Sequence, residues 1–215
     1  MPLFDVMITT LLVLPLGSMF AQTRDTAETA VPKTAEAVCP LKPGMTIPSV
    51  RLAGTTGSGL ALRDAVEKQP AVIIFYRGGW CPFCSVQLGQ LQAIEQELRE
   101  MGVQLIGISP DTPEHLMKSA SQHSLRYTLL SDSDMEAAKQ FGIAYELDAR
   151  TVTSYREHNL DIEAASGKTH HMLPVPAVFV VNREGRITFT YVNPDYKVRL
   201  DPQLLLAAAR TALDS

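Results

Sequence analysis

Hydrophobic and polar positions follow two periods along this chain. Ala71-Val72-Ile73-Ile74-Phe75-Tyr76 is an unbroken apolar run of mainly β-branched and aromatic side chains. It predicts a strand covered on both faces. Just downstream, Cys84, Leu88, Leu91, Ile94, Leu98 and Met101 recur every three or four positions, which predicts a helix over 82–101 with one buried stripe. Ahead of this pair, Ile47 to Leu52 predicts a first strand, Gly54, Gly57 and Gly59 a turn, and Leu62 to Lys68 a short helix.

After it come a second buried strand, Val103 to Ile108, and a helix capped by Asp111 or Thr112 with Pro113 in its first turn. Tyr127 to Leu130 is strand-like, and Met135 to Phe141 predicts a helix ended by Gly142. Ala177–Val181 and Ile187–Val192 form a hairpin around Asn182-Arg183-Glu184-Gly185, and Asp201-Pro202 opens a last helix through Leu213. Strand–helix alternation of this kind implies an α/β fold, a central sheet with helices on both faces. Residues 143–173 are polar and weakly periodic. A stretch of roughly 30 residues without clear structure in a compact domain usually carries function or covers a site.

At 215 residues and 46% apolar content, the chain can bury one good core. A net charge of −4, with Lys and Arg scattered, gives no support for nucleic acid or an anionic membrane as partner. Val6 to Phe20 is an apolar run of signal-peptide length, too short to span a bilayer comfortably. Ala21 is a candidate cleavage residue, although no Lys or Arg precedes the run and Met19 is large for its place. The division expected is a signal peptide over 1–21, a polar Thr/Ala-rich linker over 22–38 and one domain over 39–215, exported to a periplasmic or extracellular location.

The chemistry concentrates in Arg77-Gly78-Gly79-Trp80-Cys81-Pro82-Phe83-Cys84. Pro82 suits the first helical turn, where its missing N–H costs nothing. Cys81 then falls at the helix N-cap, where free N–H groups and the helix dipole favour a thiolate. A free thiol titrates near ~8.5, and such a place lowers that value. Two cysteines at this spacing can close a small disulfide ring, the first exposed and attacking, the second resolving. The competing reading, half of a zinc site, needs a second ligand pair. Cys39 is the only other cysteine and His170-His171 the only histidine pair, so no metal is expected. Two thiolates with His170 would suit Cu(I), which keeps a copper-binding reading as an alternative. Cys39 is left for pairing between chains, for a distant resolving role, or for partial burial. His115, His123 and His158 read as surface, and Asp132 and Asp134 as helix caps. Leu173-Pro174-Val175-Pro176 enters a strand directly, so Pro176 is a candidate for a cis peptide or for simple strand entry.

The strand, Trp-Cys-Pro-Phe-Cys, helix order with a late Val-Pro before a hairpin resembles the thioredoxin superfamily. More closely, residues 75–84 resemble the peroxiredoxin-like branch of the AhpC/TSA family, and the resemblance runs from about Pro40 to Leu213. It implies a thioredoxin-like fold with a central mixed sheet, and Pro176 as a cis-proline facing Cys81 and Cys84. On it, Trp80 packs over the disulfide and, with Pro176, positions substrate. Three departures stand out. Against the family's Pro-x-x-x-Thr/Ser-x-x-Cys, Arg77 replaces the proline and Cys81 the Thr/Ser, with Cys84 in the peroxidatic place. The family's supporting arginine would fall at about Pro176.

The expected activity is thiol-dependent peroxide reduction through a Cys81/Cys84 dithiol–disulfide cycle, with no cofactor. The substrate is a peroxide, and an external dithiol such as a thioredoxin-like protein is the reductant. The alternatives are thioredoxin-like exchange with a protein disulfide, and copper binding similar to Sco-type chaperones, which carry three residues between their cysteines rather than two. Oligomeric state and the order of attack stay open at this level.

Overall fold

The structure, a computed structural model, describes residues 30–213. The expected signal peptide and the first part of the expected linker lie outside those residues. The compact unit begins at Val31 rather than near Cys39. Val31 packs on the core, Pro32 accepts a backbone hydrogen bond from Glu146 at 2.8 Å, and a single 3₁₀ turn follows at Ala35–Ala37.

The strands are β1 (Arg51–Gly54), β2 (Gly59–Ala61), β3 (Ala71–Phe75), β4 (Gln104–Ser109), β5 (Thr128–Ser131), β6 (Ala144–Glu146), β7 (Met172–Pro174), β8 (Ala177–Val181) and β9 (Ile187–Val192). The α-helices are α1 (Leu62–Lys68), α2 (Pro82–Glu100), α3 (Pro113–Gln122), α4 (Glu136–Gln140), α5 (Ala149–Glu157), α6 (Ile162–Ser166) and α7 (Pro202–Arg210). Seven strands form one mixed sheet in the order β2-β1-β5-β4-β3-β8-β9. Strands β3, β4 and β5 run parallel, and the outer pairings are antiparallel.

The apolar run at β3 has the cause its composition implies. Ala71, Ile73 and Phe75 enter one core layer with α1 and α4, where Phe75 meets Phe179 edge to face and both rings tilt against Phe141. Val72, Ile74 and Tyr76 enter the other layer with α2, α3 and α7. Every residue of β3 is buried because both faces carry helices.

Two boundaries move for physical reasons. The first strand starts at Arg51, because Pro48 has no N–H to give a ladder. Thr112, not Asp111, caps α3. Residues 143–173, weakly periodic in sequence, fold with Pro174 as two three-residue strands paired antiparallel and two short helices. Their own small core of Leu147, Val152, Ile162 and Leu173 is packed against by Trp80, Tyr145 and Tyr155. The segment therefore lies over the Arg77–Cys84 loop. Its signals were present in the sequence as caps: the Asp148 and Asp161 side chains accept from Thr151 and Ala164 N–H, and Gly167 ends α6 in the left-handed region.

Candidate active site

The loop from Arg77 to Cys81 leaves the end of β3 and enters α2. Buried Asp111 fastens it from below. Its Oδ2 accepts the Gly79 N–H at 2.8 Å and the Ser109 hydroxyl at 3.0 Å. Burial raises the Asp111 pKa even so, against these two bonds. Only glycine fits at Gly78. Its φ is +143°, and a Cβ there would stand 2.2 Å from Trp80 Nε1 and 2.8 Å from Asp111 Oδ1. A Cβ at Gly79 would stand 2.0 Å from Ser119 Oγ. The Gly-Gly pair lets Trp80, Asp111 and Ser119 close around the loop.

Cys81 is the N-cap of α2 and Pro82 opens the helix. Both cysteines are free thiols, and both are buried, Cys81 at 1% exposure and Cys84 at 0%. The exposure expected for Cys81 is thus not found. Trp80, beside it in the chain, packs against the cluster that holds both cysteines and against Tyr155 of α5.

The thiol of Cys84, one helical turn on, is placed to donate to a thiolate on Cys81. That bond is the largest influence holding the Cys81 pKa down, to about 6, against burial. The Cys84 backbone N–H and the charges of Arg77 and Arg199 act with it. The same bond, with burial and the neighbouring Cys81 charge, pushes Cys84 well up. The electrostatics favour Cys81 as the thiolate, although the family pattern puts the peroxidatic cysteine at 84.

Two arginines reach the sulfurs. Arg77 Nη1 lies 4.0 Å from Cys81 Sγ. Arg199 Nη2 lies 3.5 Å from Cys84 Sγ, with its Nε donating to Gln87 Oε1 on α2 at 2.8 Å and Nη1 donating to the Tyr196 and Val198 carbonyls. Arg199 comes from the loop between β9 and α7, and no local pattern marked it. Phe83, between the cysteines, is 39% exposed and meets Tyr196 edge to face at 5.7 Å.

Pro176 is buried at the entry to β8, one residue before the Phe75–Ala177 pair, so it stands at the site end of the sheet. Its peptide is trans, since no cis peptide bond occurs among the described residues, which corrects the cis expectation. The Pro176 carbonyl accepts the Asn193 N–H, and the Val175 N–H is bonded to Ile143, a frame that trans geometry satisfies. No arginine occupies this place.

The remaining candidates lie elsewhere. His170 Nε2 is 2.9 Å from the Ser133 carbonyl, and His171 pairs with Glu163 at 2.6 Å, so neither imidazole is spent on the cysteines. Among the described residues no group of three His, Cys, Asp or Glu side chains could hold a metal. Cys39 is exposed. Asp132 accepts the Ala137 and Ala138 N–H groups at the start of α4, whereas Asp134 pairs with Lys168. His115 is half-buried, its Nδ1 between Thr112 Oγ1 and the Ala165 carbonyl.

The comparisons agree with this geometry. A model of the AhpC/TSA family matches residues 43–190. Peroxiredoxin Bcp of Escherichia coli is 34% identical over 134 residues, which is 62% of this chain and 85% of that protein. Among solved structures, the peroxidoxin BcpB of Mycobacterium tuberculosis superposes with a TM-score of 0.61 at 22% identity, over 79% of this chain and 97% of its own. The bacterioferritin comigratory protein of Xanthomonas campestris, described for its alkyl peroxide reduction activity, gives a TM-score of 0.61 at 18% identity, over 79% and 98%. Tyr196 and Arg199 lie past residue 190, beyond the span of the family model. A thioredoxin-like mixed sheet, two buried free cysteines where β3 meets α2, and a family match over most of the described residues lead to one conclusion: this chain belongs to the AhpC/TSA family and is an oxidoreductase of the peroxiredoxin type.

Proposed function

We propose that the chain reduces small peroxides through Cys81 and Cys84, with Cys81 attacking first. The Cys81 thiolate takes the terminal oxygen of ROOH, which breaks the O–O bond and leaves a sulfenic acid on Cys81 and an alkoxide that picks up a proton as ROH. The Cys84 thiol then displaces water from the sulfenic acid and closes the Cys81–Cys84 disulfide. An external dithiol, thioredoxin-like in kind, reduces that bond and is itself oxidised to a disulfide.

The observation that carries this reading is a sulfur at 1% exposure with the Arg77 guanidinium 4.0 Å away, surroundings that favour its thiolate. A peroxide is small enough to reach it in the reduced form, whereas exchange with a folded protein needs an exposed sulfur, so the oxidised pair has to open before a thioredoxin-like dithiol reduces it. Burial thus favours the peroxide over the protein-disulfide alternative. His170 and His171, with partners of their own, lend nothing to the copper alternative. Trp80 and Pro176 belong to this proposal as the wall and floor of the substrate approach, supported by their places beside the loop and at the site end of the sheet.

The test is consumption of hydrogen peroxide and cumene hydroperoxide with a thioredoxin system, beside trapping of sulfenic acid by dimedone and mapping of the adduct. Cys81→Ser abolishes consumption. Cys84→Ser loses turnover but keeps one peroxide consumed per chain, with the adduct on Cys81. An adduct on Cys84 in Cys81→Ser, formed at the wild-type rate, would reverse the assignment. Thiols untouched by peroxide yet oxidised quickly by protein disulfides would replace peroxidase with exchange. Export belongs to the proposal on the composition of residues 6–37 alone, and an intact Met1 on protein recovered from its native cell would overturn cleavage after Ala21.

A further inference from the structure

Arg77 occupies the place where the family pattern has proline, and its side chain turns inward, 2% exposed. Its guanidinium carbon lies 4.1 Å from the ring centre of Tyr196, 5.1 Å from that of Trp80 and 5.5 Å from that of Tyr155. Nη2 donates to the Tyr155 hydroxyl, Nη1 faces Cys81 Sγ at 4.0 Å, and Nε has no partner among the described residues. None of the ion pairs among the described residues involves Arg77. A buried cation without a carboxylate is costly, and three aromatic faces offset only part of that cost. Of the two groups its Nη atoms face, the Cys81 thiol and the Tyr155 hydroxyl, the thiol is intrinsically the more acidic.

Resting on the peroxidase reading above, we infer that Arg77 is a positioning residue, a caged cation whose charge, added to the Cys84 hydrogen bond, favours Cys81 over Cys84 as the attacking thiolate. The charged and titratable groups facing this arrangement are Cys84 from α2, Arg199 and Tyr196 from the loop after β9, Tyr155 from α5 and Tyr145 from β6. Burial works to lower the Arg77 pKa, and the Tyr155 and Tyr145 phenols with the Cys81 sulfur outweigh it, so the guanidinium stays charged. The same charge stabilises the reduced dithiol against the disulfide, which makes the disulfide easier to reduce.

A purely structural role gives the opposite expectation, and this separates the two. Methionine has a similar reach and would fill the cage without a desolvation cost, so a packing role predicts that Arg77→Met is neutral or stabilising with unchanged thiol chemistry. The proposal predicts a chemical change. In the full-length reduced protein, the pH midpoint for Cys81, read by thiolate absorbance and by mapped alkylation, rises by about one unit or more, roughly a tenfold loss of thiolate below the midpoint. The disulfide's reduction potential in glutathione buffers becomes more negative. Arg77→Lys, which keeps the charge, restores part of both. Should Arg77→Met fail to fold, Tyr155→Phe keeps the ring and removes only the hydroxyl that anchors Nη2, and it moves both readouts the same way by less.

A midpoint and potential unchanged in Arg77→Met, or in Tyr155→Phe where the first variant is unfolded, would overturn the proposal. None of these measurements uses peroxide. A shifted midpoint in a protein that consumes no peroxide would leave the role of Arg77 standing and remove the peroxidase reading.

Discussion

At the scale of the residue, the site is a contest between two thiols for one charge. Cys81 is held down to about 6 and Cys84 is pushed up. Both unfold to ordinary thiols near ~8.5. Between about 6 and 8.5 the native pair binds one proton and the unfolded pair two, so stability rises with pH across that window. Above it, the unfolded chain loses both protons while native Cys84 keeps its own, and the trend reverses. Thermal melts of the reduced protein against Cys81→Ser isolate this contribution. The wild type should gain on the variant from pH 6 to 8, and equal slopes would mean that Cys81 is not the acidic thiol. Removing the donor has a companion effect: Cys84→Ala deprives the thiolate of its hydrogen bond, and alkylation of Cys81 should shift to higher pH. The sequence marked both cysteines, since their spacing and Pro82 are local signals. It misread the exposure of Cys81, because exposure is set by Trp80 and by side chains that arrive from elsewhere.

At the scale of the element, the loop between β3 and α2 is held by a carboxylate that sequence reasoning offered as a helix cap. Asp111→Ala leaves the half-buried Gly79 N–H without its acceptor and should cost about 1–2 kcal/mol by denaturant unfolding. Peroxide consumption should fall with it as the loop loses its seat, and Asp111→Asn should lose less, since an amide oxygen can still accept. The α4 helix gives a control remote from the chemistry. Asp132→Ala removes the acceptor of two N–H groups and should cost about 1–2 kcal/mol at neutral pH, with the Cys81 titration unchanged. The elements that the sequence revealed, α1, α2, β8 and β9 among them, have long apolar periods or a hairpin turn. Those it left blank, β2, β6 and β7, span three residues each, too few to show a period. Helix α5 buries only Val152, so its stripe was invisible although its Asp148 cap was not.

At the scale of the whole molecule, the compact unit extends to Val31, and the stretch read as linker contributes to it. A chain beginning at Cys39 should be less stable than one beginning at Ala30 by about 1–2 kcal/mol, through loss of the Pro32–Glu146 backbone bond and the Val31 contact. Equal melting temperatures would return residues 31–38 to the linker. The pattern of apolar runs and helix starts by itself determined the sheet, the helices on both of its faces and a dithiol at the mouth of α2, because each of these rests on neighbours within a few positions. Only the tertiary structure decided which sulfur has surroundings that favour the thiolate. Arg199 reaches Cys84 across 115 positions, and Tyr155 holds Arg77 across 78. Charge on a buried thiol depends on distance and burial in space, and neither is written in the order of the residues.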